Sequence, residues 1–110
     1  MVDMSLDIYL EEVRPVAVFD SNYTHNVVPM AKEAGIYQQV WHPESLGITH
    51  AEQLIAPLRT SIVLLKSDPE RFKGFDPKNG WGGYETFVPW LERLLEACEA
   101  HPGATVRTST

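Results

Sequence analysis

The sequence predicts a mainly helical α+β fold: a small two- or three-stranded antiparallel sheet from the N- and C-terminal segments, covered by three main helices. Three observations carry this. In Ser5 to Glu11, Leu6, Ile8 and Leu10 alternate with Asp7, Tyr9 and Glu11, the two-residue period of a strand with one buried face. Two later segments carry apolar stripes at helical spacing: Leu54, Ile55, Leu58, Ile62 and Leu65, then Phe87, Trp90, Leu91, Leu94, Leu95 and Cys98. After Pro102-Gly103, Ala104 to Thr108 has the composition of a closing strand, which pairs most simply with the first. Two or three strands are marginal alone, so the helices must supply most of the core.

Between these landmarks, Arg14-Pro15 interrupts the first strand, and Val16 to Phe19 either continues it past a bend or forms a short extended segment. Asp20 to Asn26 reads as a polar loop. The first helix is expected from Asn26, as N-cap, to Gly35, with Pro29 in the first turn where its missing N–H costs nothing. Gly35-Ile36 reads as a left-handed stop with its hydrophobic contact. Tyr37 to Trp41 forms another short turn, closed by His42-Pro43.

Thr49-His50-Ala51-Glu52 has the form of a capping box opening the second helix, in which Pro57 is expected to produce a kink. Asp68-Pro69 opens a short helix through Phe72, and Lys73 to Gly83 is rich in turn residues. Thr86 is the expected cap of the third helix, whose polar face carries Glu92, Arg93, Glu96 and Glu99.

Residues 1–110 make one domain with one core. Hydrophobic residues at 44% and charged residues at 22% sit near globular averages. A net charge of −6 argues against general nucleic-acid binding, which needs a basic surface. No apolar run approaches a membrane span, and the N-terminus lacks the pattern of a signal peptide. Cys98 is the one cysteine, which excludes an internal disulfide and fits a reducing, cytoplasmic compartment. His25, His42, His50 and His101 have no metal-ligand spacing, and Gly80-Trp81-Gly82-Gly83 matches no nucleotide signature, so neither a metal nor a cofactor is expected.

Chemistry concentrates at two helix approaches. Asn22, Thr24, His25 and Asn26 precede the first helix, whose end can receive an anion on unpaired N–H groups. Asn79, Trp81 and Tyr84 precede the third, where glycines permit close backbone approach and the aromatics can stack on a flat ligand. Trp41, Phe72 and Trp90 read as core.

The chain resembles a family of small phage and prophage proteins with no established activity. The resemblance rests on Asn22-Tyr23-Thr24-His25-Asn26, on Met30 to Tyr37 followed by Trp41, on Asn79-Gly80-Trp81-Gly82-Gly83-Tyr84, and on Leu95-Glu96-Ala97-Cys98. It covers about Asp7 to Arg107, and family members carry a longer insertion after the Trp, here only His42 to Ile48. The resemblance implies a phage-like context and gives weight to the two loop motifs.

The expected function is non-enzymatic binding or sequestration of a small polar or anionic ligand, such as a nucleotide, by Asn22, Thr24, His25, Asn26, Asn79, Trp81 and Tyr84. One alternative is a small hydrolase with His25 as base and Asp20 orienting it, although no nucleophile or metal set accompanies them. Another is a protein–protein adaptor with the aromatics as anchors. A homodimer is compatible with each.

Overall fold

The structure, a computed structural model, describes residues 5–11, 17–78 and 83–109. It is α+β and mainly helical. Three strands, β1 (Ser5–Glu11), β2 (Ala17–Thr24) and β3 (Thr105–Ser109), form one antiparallel sheet in the order β2-β1-β3. The N-terminal strand is therefore central, paired with β3 through Leu10↔Val106 and with β2 through Leu6↔Tyr23. Leu6, Ile8 and Leu10 are fully buried, whereas Tyr9 and Glu11 line the other face, where Arg107 lies 4.8 Å above the Tyr9 ring and pairs with Glu11.

One expectation is corrected here. Asp20 to Asn26 is not a loop: β2 runs through Thr24, and His25–Val27 form a 3-10 turn. Asp and Asn are depleted in strands, so composition argued for a loop. Pairing with β1 from Asp20 through Thr24 outweighs that preference, and β2 is an edge strand, where polar residues are better tolerated. The proposed interruption at Arg14-Pro15 lies outside the described residues.

Among the described residues five α-helices follow: α1 (Val28–Glu33), α2 (Tyr37–Trp41), α3 (Glu52–Ser67), α4 (Pro69–Lys73) and α5 (Tyr84–Ala100). Helix α1 stops as expected. Gly35 has φ 75°, its N–H bonds the Lys32 carbonyl, and the Ile36 N–H bonds that of Ala31, while buried Ile36 and Ala31 supply the apolar contact. Helix α3 continues across Pro57. Ion pairs Arg59–Glu99 and Lys66–Glu92 (2.6 Å) link α3 to α5 in opposite sequence order, so the two long helices run antiparallel.

Three helix starts differ from expectation, and at α3 and α5 the caps come from elsewhere in the chain. The N-cap position of α1 is Val27, not Asn26, and no side chain caps it. At α3 the N-cap is Ala51, and the Thr49/Glu52 capping box does not form. The Ala51 and Glu52 N–H groups bond the carbonyls of Ala104 (2.8 Å) and Pro102 (2.9 Å), because the His50↔Thr105 bridge lays the approach to β3 alongside. Gln53 Oε1 accepts from the N–H groups of Thr49 (2.8 Å) and His50 (2.9 Å), the reach-back role assigned to Glu52. At α5 the N-cap position is Gly83, not Thr86. Asp68 occupies the N-cap position of α4 but makes no side-chain cap bond.

The core lies between the buried face of the sheet and the helices. It contains Trp41, Leu58, Leu65, Phe72, Phe87, Trp90 and Leu94, and Cys98 is fully buried within it. Burial pushes the Cys98 thiol up from about 9 to about 12, and the neighbouring Glu99 carboxylate adds to the shift. The folded thiol thus stays neutral where the unfolded one ionises. Its contribution to stability is fully present below about pH 9 and is lost as pH rises towards 12. Tyr23, also raised by burial, acts in the same direction. Denaturation midpoints should fall between about pH 9 and 12, and the fall should be shallower for Cys98→Ala. Parallel curves for the two proteins would refute the assignment.

Candidate functional site

Two places gather polar and aromatic side chains. The first is the junction between the end of β2 and the start of α5. The Tyr23 ring stacks on Trp90 (centroids 5.0 Å, 24° between planes) and on Phe87 (5.8 Å, 26°). Its hydroxyl lies 2.6 Å from Thr86 Oγ1, which donates to the Gly83 carbonyl (3.2 Å). Since the Thr86 proton goes to Gly83, Tyr23 donates to Thr86. Burial raises the Tyr23 pKa, while its contacts with Thr86 and the Gly83 backbone oppose the rise, so the phenol stays protonated at neutral pH.

The start of α5 is equally tied down. The Tyr84 N–H bonds Asp76 Oδ1 (2.8 Å), so a carboxylate eight residues back supplies the cap. Gly83, at φ 149°, is required there. An added Cβ would sit 3.1 Å from Asp76 Oδ1 in a conformation that side chains rarely adopt. The Tyr84 hydroxyl donates to the Leu65 carbonyl (2.9 Å), one of the acceptors left open in the last turn of α3. Lys73 Nζ stands 5.6 Å from its ring centroid.

Asn22 and Thr24 lie in β2, His25 and half-buried Asn26 in the following 3-10 turn, and Tyr84 in the first turn of α5. The contact between Tyr23 and Thr86 makes these two segments neighbours. Tyr23 itself, which the sequence reading left out of the binding set, is the residue that joins them. Asn79 and Trp81 lie outside the described residues. Asp20 lies within β2 and His25 opens the 3-10 turn that follows it.

The second place is a groove of about 400 Å³ on α1, α2 and the 3-10 turn Pro43–Leu46, lined by Lys32, Gly35, Tyr37, Gln38, Gln39 and Leu46. Its centre is Tyr37. The ring stacks on buried Trp41 (5.7 Å, 25°), and the hydroxyl lies 3.0 Å from His42 Nε2. The Lys32 ammonium stands 4.9 Å from the ring centroid. Ser45 Oγ donates to the His42 carbonyl (2.8 Å), which ties the 3-10 turn to α2. Tyr37 is thus held in place by its protein contacts, and Leu46, 52% exposed, offers an apolar wall.

Helix signals in the sequence place Met30 to Ile36 in the first helix and its stop, and Tyr37 to Trp41 in a short turn, and neither marks a site. A signal was present, however. Tyr37 and Trp41 stand four apart, two glutamines lie between them, and Lys32 has no acidic residue at three or four positions along its helix.

Among the described residues no group of three or more His, Cys, Asp or Glu side chains is placed to hold a metal ion, and no helix is long and apolar enough to cross a membrane. Comparison of the chain with protein-family models, with curated proteins and with solved structures finds no match.

Proposed function

We propose that the protein is a non-enzymatic binding protein for a small polar ligand, and that the α1–α2 groove is its receptor. The observation that carries this reading is the preorganised Tyr37: a half-buried aromatic, held by Trp41 behind and His42 at its hydroxyl, in a concavity that also exposes a cation, two amides and a leucine. Small-molecule sites have this make-up, with contact area from apolar groups and orientation from a few polar ones. Lys32, Gly35 and Tyr37 belong to a segment through which the chain resembles phage-type proteins, which supports sequestration of a small molecule in such a setting.

The β2–α5 junction supports the reading less well. There the hydroxyls of Tyr23, Tyr84 and Thr86 already have protein partners. The test is amide chemical-shift mapping of the labelled protein against nucleoside monophosphates, amino acids, sugars and aromatic acids. Saturable shifts confined to residues 35–39 and 46 are expected. Shifts confined to residues 22–26 and 79–84 would move the site to the junction, and no saturable shift with any compound would refute ligand binding at both places.

A further inference from the structure

In a chain with 15 acidic and 9 basic side chains, most cations have a carboxylate at hand. Arg59 pairs with Glu99, Lys66 with Glu92, Arg71 with Glu33, Lys73 with Glu85 and Arg107 with Glu11. Lys32 is different. Among the described residues no carboxylate lies within ion-pair distance of it, and its contact is the Tyr37 ring face. Lys78 and Arg93 also lack an ion pair among the described residues, but neither lines the groove. An exposed ammonium over an aromatic face is held more weakly than one hydrogen-bonded to a carboxylate, so it is free to turn to an incoming anion.

We propose that the groove binds a small planar monocarboxylate; this rests on the reading of the groove as a ligand site. The carboxylate pairs with Lys32 Nζ at one end of the groove. Gln38 and Gln39 line the groove beside it and can serve as amide donors. When the ammonium turns to the carboxylate, it uncovers the Tyr37 face on which it rested. Contacts with Trp41 and, at the hydroxyl, with His42 hold that ring in place, so a flat apolar body can stack on the uncovered area, against Leu46. The charge count argues for a monoanion. The groove has one cation, and a chain of net charge −6 repels a polyphosphate that it cannot neutralise.

The experiment titrates labelled protein with three probes: benzoate, its uncharged isostere benzamide, and ATP. Benzoate should shift the amides of residues 35–39 and 46 saturably. Benzamide should bind about tenfold or more weakly, the scale of a lost hydrogen bond to a charged group, and ATP should bind more weakly than benzoate. Lys32→Met keeps the aliphatic stem of an exposed side chain and should bring benzoate down to the level of benzamide, with the rest of the spectrum unchanged. Equal binding of benzoate and benzamide, or full benzoate affinity in Lys32→Met, would overturn the carboxylate assignment while leaving a groove that binds ligands. ATP binding more tightly than benzoate would overturn the monoanion. No groove shift with any of the three probes would overturn this proposal, and if the broader set of compounds also fails, the proposed function falls with it.

Discussion

Truncating Trp90 to alanine should destabilise the protein by about 3–5 kcal/mol, the range for a buried large aromatic. Trp90 is 2% exposed and lies where the sheet meets the helices. Tyr23 of β2 stacks on it at 5.0 Å, Phe87 of the same helix at 6.4 Å, and Trp41 of α2 packs at 6.4 Å with its plane tilted by 50°. One side chain therefore holds three elements, and its loss removes contacts that no single neighbour can collapse to replace. Such a loss is a large share of the 5–15 kcal/mol typical of a whole domain, so the variant should be close to unfolding at room temperature. Trp90→Phe keeps an aromatic surface for Tyr23 and should lose less. Urea melts followed by far-UV circular dichroism check both. A loss under about 1 kcal/mol for the alanine variant would mean that the aromatic cluster does not join the layers.

Leu94→Ala should cost about 2–5 kcal/mol, through lost burial and the cavity left behind. Leu94 is fully buried, one turn beyond Trp90 on α5, the helix that packs antiparallel on α3. Its neighbour Leu95 is only half-buried, so Leu95→Ala should cost less. On α3, Val63 is 68% exposed, and Val63→Ser should stay within about 0.5 kcal/mol, the surface range. Melts of the three variants therefore read out which faces of the two long helices meet. Equal losses for Leu94→Ala and Leu95→Ala would contradict the packing.

The polar motifs have a structural use that sequence alone could not weigh against ligand binding. Tyr23 and Tyr84 each combine a ring contact with a hydroxyl bond, and together they fasten the start of α5 to β2 and to the end of α3. That arrangement satisfies backbone groups that would otherwise lack partners where helices end. In the α1–α2 groove, by contrast, the Lys32 ammonium and the apolar face of Leu46 remain accessible. The proposed site therefore lies away from the densest polar motifs.

Patterns that depend on near neighbours were legible in the sequence. The alternation of Leu6, Ile8 and Leu10 placed β1 and its buried face, and the helical stripes placed α3 and α5 with Leu58, Leu65, Leu94 and Cys98 inside. The left-handed stop at Gly35 was equally legible, because each of its hydrogen bonds spans fewer than six residues. What tertiary structure alone decided involves partners far apart in the chain. Asp20 to Thr24 became strand because β1 offered an unpaired edge, which no local propensity records. The caps of α3 and α5 came from Pro102, Ala104 and Asp76, since a helix N–H accepts whichever carbonyl or carboxylate the fold brings to it, not only the nearest Ser or Thr. The groove forms where the turn at Gly35 (φ 75°) and the break at His42-Pro43 fold three short segments around Tyr37. A concavity depends on the relative placement of elements, and a sequence period reports only the faces within one element.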